Sequence, residues 1–226
     1  MSSSASKESL GLRLRRGLLR RVARVIYLIL GRVDVSGLGN IPRGAAYIAA
    51  INHTSIFDAP LMLAFWPESI SAIGAADVFD KPVQGQIVAL YGATPVHRGS
   101  YDRLLIDDML ATLRSGRPLL IAPEGGRSHQ PAMRRARPGI AYIVEQAGVP
   151  VVPVGIFGAT DDFLKRGLRF QRPRIGMRVG KPFRLPPLQG RGEARRESRQ
   201  GNADFVMRRI AELLPPDYHG VYAAST

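Results

Sequence analysis

The feature that most restricts the fold of this chain is a repeated exchange, from residue 33 onward, between short apolar runs and longer segments of helical period. Runs at 33–35, 45–51, 70–74, 119–122, 151–156 and 174–179 are too short for helices and read as strands. Helical patterns at 59–65, 82–91, 101–114, 139–147 and 202–214 fall between the runs or close the chain. Strands alternating with helices in this way predict an α/β fold with a central mixed, largely parallel sheet flanked by helices. The chain has 226 residues, enough for one such core and cramped for two. The pattern therefore predicts one domain over 33–226 and a separate membrane-associating segment over 1–32. Residues 189–201 read as a linker or a solvated helix start, and the tail beyond Pro215 and Pro216 as irregular.

Charge is the next constraint. Lys and Arg number 32 against 18 Asp and Glu, a net charge of +14, so the partner should be anionic. Half of that excess lies in residues 1–32, where eight basic residues meet one acid. On a helix over 10–32, Leu14, Leu18, Val22, Val25 and Ile29 share one stripe, and Arg13, Arg16, Arg20 and Arg24 share another. A basic amphipathic helix of this kind suits the headgroup plane of an anionic membrane. The competing reading is an ordinary helix that buries its Leu face on the domain. The longest uninterrupted apolar run, 25–30, is far short of the roughly 20 residues of a membrane span. The segment predicts a peripheral or monotopic protein on the cytoplasmic face of the membrane. No helix-turn-helix, zinc-finger or RNA-recognition motif accompanies the charge, which argues against nucleic acid. The absence of cysteine excludes disulfides and a thiol nucleophile.

Four loops carry candidate chemistry. INHTSIFDAP (51–60) follows a strand, where α/β folds place reactive groups. His53 can accept a proton near neutral pH, and Asp58 can fold back onto its other ring nitrogen if the chain turns into a helix between them. His-x4-Asp alone is weak; the pair could simply cap a helix. APEGGRS (122–128) also follows a strand: Gly125 and Gly126 would let a ligand approach the backbone, Arg127 could fork onto a phosphate, and Glu124 could bind a hydroxyl or fix an Arg. In YGATPVHRGS (91–100), Arg98 is a second phosphate candidate, or a solvated surface residue. GVPVVPVGIFG (148–158) reads as a buried strand.

Taken together and in this order, NHTSIFD, GATPVHR, PEGGRS and VPVVPVGI resemble the four blocks of the PlsC-like glycerolipid acyltransferases, over roughly residues 33–183. The resemblance implies His53 as the base, Asp58 as its orienting partner, and Arg98, Glu124, Gly125 and Arg127 as the group holding the phosphate and glycerol end of the acceptor. Pro153 would help to shape the site. The implied reaction is acyl transfer from acyl-CoA or acyl carrier protein to a lysophospholipid hydroxyl, foremost 1-acylglycerol-3-phosphate to give phosphatidic acid, with no metal or other cofactor. The alternatives are a different lipid or polyol-phosphate acceptor, or a non-catalytic membrane lipid-binding protein. Ala122 and Gly126 stand where the family has an aromatic and a Thr, His97 where it has an acid, and Ala75 near a usual Lys. These departures spare His53 and Asp58 and fall among the acceptor blocks.

Overall fold

The computed structural model describes residues 9–96, 103–128 and 130–223. Among them, seven strands form one sheet: β1 (Arg32–Ser36), β2 (Ile48–Ile51), β3 (Ser71–Ala75), β4 (Thr94–Val96), β5 (Leu119–Ile121), β6 (Val151–Phe157) and β7 (Arg174–Val179). Their order is β1-β7-β6-β2-β5-β3-β4. Every neighbouring pair is parallel except β6 and β7, so the sheet is mixed and largely parallel, as the alternation predicts. The helices are α1 (Leu10–Leu30), α2 (Asp58–Phe65), α3 (Ala76–Phe79), α4 (Gln84–Tyr91), α5 (Arg103–Arg114), α6 (Gly139–Ala147), α7 (Phe163–Leu168) and α8 (Gly192–Ala211).

The central strand shows why its sequence is apolar without alternation. All four residues of β2 are buried. Ala49 and Ile51 join one core with Tyr27, Leu61, Trp66 and Phe163; Ile48 and Ala50 join the opposite core with Leu110, Ile140 and Met207. Successive side chains leave a strand on opposite faces, so a sheet covered on both sides needs apolar residues at every position.

Helix α8 begins about ten residues before its apolar period does. Its first half, within the stretch read as a linker or solvated start, is exposed and anchored by charge, with Arg195 and Arg199 reaching Glu145. Helices α3 and α7, four and six residues long, are too short for a periodic signal. The tail after Pro215 forms two 3-10 turns, Pro216–Tyr218 and Gly220–Tyr222, rather than irregular chain.

Helix α1 packs with an unexpected face. Two of the four stripe arginines turn inward. Arg16 is buried; its Nε donates to the Tyr91 carbonyl at 2.7 Å and its Nη2 to Gly92 at 3.1 Å. Arg20 donates to the carbonyls of Leu63, at 2.9 Å, and Trp66. These acceptors are the last carbonyls of α4 and α2, which lack partners within their own helices and lie at negative dipole ends. The guanidinium of Arg24 lies 5.0 Å from the centre of the Phe65 ring. Leu19, Ala23, Tyr27 and Leu30 complete the inner face. The Leu14 stripe points away from the domain: Leu14, Leu18 and Ile29 are 67%, 63% and 65% exposed. The alternative in which this stripe is buried on the domain is therefore not what the fold does.

Candidate active site

Three parallel neighbours, β5, β2 and β6, bring the loops after them together at the carboxyl edge of the sheet. Ligand chemistry in α/β sheets concentrates at such edges. The loops carry residues 52–58, 122–128 and 158–161, and each is tied to the others.

Just past β2, Asn52 is fully buried and extends the ladder with its side chain. Its Oδ1 accepts from the Ile156 amide and its Nδ2 donates to the Ile156 carbonyl, both at 2.8 Å. The chain then turns into α2, whose first residue is Asp58. One carboxylate oxygen, Asp58 Oδ2, accepts from the amides of Thr54 at 2.7 Å and Ser55 at 2.6 Å, and lies 3.3 Å from His53 Nδ1. An ionised carboxylate can only accept, so this bond places a proton on Nδ1 and leaves Nε2 its lone pair. Asp58 is 1% exposed and the His53 ring 23%, so the ring is open to substrate and its partner is not. Burial pushes the Asp58 carboxyl above its ordinary value, against the pull of His53 and the two amides. Tyr27 of α1 donates its hydroxyl to the Phe57 carbonyl at 2.8 Å, which ties the N-terminal helix to this turn.

In the second loop, Glu124 is also buried. Its two oxygens accept from the amides of His53 and Arg134, each at 2.8 Å. Burial pushes its carboxyl upward while these amides pull it down. Both oxygens thus hold protein, and the side chain binds the His53 loop to the loop after β5. Ser128 reinforces the join by donating its amide to the His53 carbonyl at 2.8 Å. Gly125 has φ +68°, and a Cβ there would meet the Arg137 side chain at 2.5 Å. The left-handed backbone favours glycine for the turn itself, whereas the Arg137 side chain could swing aside.

Arg127 Nη1 lies 2.5 Å from Asp161 Oδ2. The other oxygen of Asp161 accepts from the Ser55 hydroxyl at 3.0 Å and the Ile56 amide at 3.2 Å. Burial raises the Asp161 carboxyl, but these two bonds and the charge of Arg127 outweigh it and hold the group below its ordinary range. Sequence reasoning missed Asp161, Asn52 and Tyr27. The acids 161 and 162 follow β6, a strand beside β2, and a strand-end acid pair is the signal that could have found the first.

The fold thus gathers His53, Asp58, Glu124, Gly125 and Arg127. Arg98 lies outside the described residues. Pro153 is buried within β6, paired with Ala50. Among the described residues, no group of three or more His, Asp or Glu is placed to hold a metal ion.

A family model described as Acyltransferase matches residues 32–157. Lyso-ornithine lipid O-acyltransferase of Pseudomonas aeruginosa is 32% identical over 198 residues, covering 79% of this chain and 74% of that protein. 1-acyl-sn-glycerol-3-phosphate acyltransferase alpha of Ovis aries is 27% identical over 169 residues, covering 74% of this chain but only 57% of that protein. The crystal structure of PlsC, a 1-acyl-sn-glycerophosphate acyltransferase from Thermotoga maritima, superposes with a TM-score of 0.62 at 21% identity, over 88% of this chain and 79% of that one, a likeness of fold.

Proposed function

The chain belongs to the Acyltransferase family, and from that premise we propose that it moves a fatty acyl group from acyl-CoA or acyl carrier protein to the free hydroxyl of a single-chain lipid. The observation that carries this reading is the open His53 ring with Asp58 fixed behind it, 3.3 Å from Nδ1. The acceptor hydroxyl gives its proton to Nε2 as its oxygen attacks the thioester carbon. The carbon–sulfur bond then breaks, the ester remains, and the imidazolium returns the proton to the leaving thiolate. Asp58 holds the ring and stabilises its charged form, as in the Ser-His-Asp arrangement, except that the substrate supplies the nucleophile. Arg127, 23% exposed, holds the acidic part of the acceptor headgroup. The relatives' acceptors, lyso-ornithine lipid and 1-acylglycerol-3-phosphate, both meet this description.

Thiol release from a long-chain acyl-CoA or acyl carrier protein, with and without these acceptors, tests the reading. The chain contains no cysteine, so a thiol-reactive dye reports only the product. Release should depend on acceptor and fall about 10²–10⁴-fold in His53→Ala. Undiminished turnover by folded His53→Ala protein would exclude His53 as the base.

The partner surface in this reading is an anionic membrane on the cytoplasmic face. Among the described residues no helix is long and apolar enough to cross a membrane. The outward stripe of α1 is flanked by exposed Arg15 and Arg21, an arrangement suited to lying at the lipid surface with the apolar stripe submerged.

A further inference from the structure

The Arg127–Asp161 pair bears on which headgroup this site accepts, an inference that rests on the acyl-transfer reading. Asp161 lies beyond the segment matched by the family model, yet it touches two of the three loops of the site. One oxygen braces the His53–Asp58 turn through Ser55 and Ile56; the other sits on Arg127. Its side chain is 56% exposed, more than a brace requires. A single bond to Nη1 leaves Arg127 its other donors for an anion, but that anion must then lie next to the Asp161 carboxylate. A phosphate monoester, close to two negative charges, meets like charge there. A headgroup with one carboxylate and one ammonium meets an opposite charge at each residue.

We propose that Arg127 and Asp161 together read a zwitterionic, amino-acid headgroup, with Arg127 on its carboxylate and Asp161 on its ammonium. Ornithine has both groups; glycerol phosphate has no ammonium. Asp161 is then a specificity residue as well as a brace. The substitution D161N removes the charge and keeps an oxygen for the Ser55 and Ile56 donors, so it separates the two roles.

The test is acceptor-dependent thiol release by wild type, D161N and D161E on lyso-ornithine lipid and on 1-acylglycerol-3-phosphate. Wild type should favour lyso-ornithine lipid. D161N should raise its KM at least tenfold, leave kcat within a few fold, and improve the relative use of the phosphate acceptor. D161E should recover part of the preference. A proportional loss on both acceptors in D161N would reduce Asp161 to a brace and overturn the proposal, as would a wild-type preference for the phosphate acceptor that D161N leaves unchanged. No release by wild type with either acceptor and either donor would remove the acyl-transfer reading, and this proposal with it.

A separate observation concerns the turn between α7 and β7. Phe170 has φ 59° and is 91% exposed. A bulky residue in the left-handed region is strained, and here the strain presents an aromatic ring to the outside. Leu164 and Leu168 are exposed beside it. Lys165, Arg166, Arg169, Arg172 and Arg174 flank it in the sequence, with no acid from 163 to 174. The turn is fixed to α1: Arg172 donates to the carbonyls of Leu28, at 2.9 Å, and Gly31, at 3.2 Å. Gly167 packs so closely on Leu30 that a Cβ there would sit 2.7 Å from it. The geometry points to a second bilayer contact, with Phe170 inserted among acyl chains, the basic residues on anionic headgroups, and the turn held beside the outer face of α1. It rests on the membrane reading. The substitution F170W should show a blue shift and quenching by brominated acyl chains on vesicles containing anionic lipid, above the constant signal of buried Trp66. F170S should weaken flotation several fold without changing Tm. Wild type that floats while the F170W side chain stays in water would overturn this contact alone. Wild type that does not bind anionic vesicles would overturn the membrane reading as well.

Discussion

Asp58 and Arg16 are both withdrawn from water, and they find partners by opposite routes. Asp58 is served by the amides of Thr54 and Ser55 and the ring of His53, all within five residues. Arg16 is served by carbonyls 75 and 76 residues away, at the end of a different helix. A buried charge must be hydrogen-bonded in either case. The local solution is visible as a pattern of adjacent residues. The distant one depends on which helix ends meet, and adjacent residues carry no record of that.

The largest expected effect lies on the local side. Asp58→Asn keeps the shape of the turn but no longer stabilises an imidazolium. Activity should fall about 10³–10⁴-fold, by analogy with the loss of the carboxylate in a Ser-His-Asp triad. Stability should respond in the other direction. Burial raises the folded-state pKa of Asp58 above 3.8, so above that pH the folded protein holds a proton the unfolded chain has released. Ionising the buried group then costs stability as pH rises through this window. Thermal unfolding from pH 4 to 7 should show Asp58→Asn gaining on wild type as pH increases. Asp58→Asn losing ground to wild type as pH increases would mean that the three donors to Oδ2 outweigh its desolvation.

The distant solution should fail differently. Arg16→Ala withdraws the donors to the Tyr91 and Gly92 carbonyls and should cost about 1–3 kcal/mol, a loss of several degrees in Tm. Arg13→Ala, on the same stripe but exposed, should stay within about 0.5 kcal/mol. Equal effects would mean that Arg16 is held no more tightly than a surface arginine.

The same division separates what the residues reveal from what they conceal. The sheet was legible because short strand-like runs alternate with segments of helical period from residue 33 onward, the mark of a layered α/β fold. The His53–Asp58 pair was legible because its geometry closes within one turn. Asp161 was not, because it reaches Ser55 across 106 residues and only the parallel register of β2 and β6 brings them together. Glu124 could be read as a carboxylate that binds a substrate hydroxyl or fixes an Arg, but not as one engaged by two amides, since one of them belongs to a different loop. Helix α1 is the intermediate case. Its period marked it as a helix, but the face it buries is the weaker apolar one, Leu19, Ala23 and Tyr27 with Arg16 and Arg20 among them, and that choice depends on carbonyls of other helices that the period of α1 does not record.

The smallest expected effect tests that last point within one helix. Arg15 and Arg21 lie at the margins of the outer stripe, whereas Arg16 and Arg20 are bound to carbonyls. A cation near an anionic lipid surface contributes about 1 kcal/mol, so Arg15→Gln or Arg21→Gln should each weaken partition to anionic vesicles roughly fivefold, with no change in Tm. The difference should fade as salt shortens the screening length. Leu18→Gln should weaken the same partition without that salt dependence, because it removes apolar area rather than charge. If Arg15→Gln and Arg21→Gln lower Tm while Arg16→Gln lowers vesicle binding, the inner and outer faces are reversed in solution and α1 must rotate on the domain before it meets lipid. If each substitution moves only its own observable, one helix holds two populations of arginine, and the net charge alone could not have told them apart.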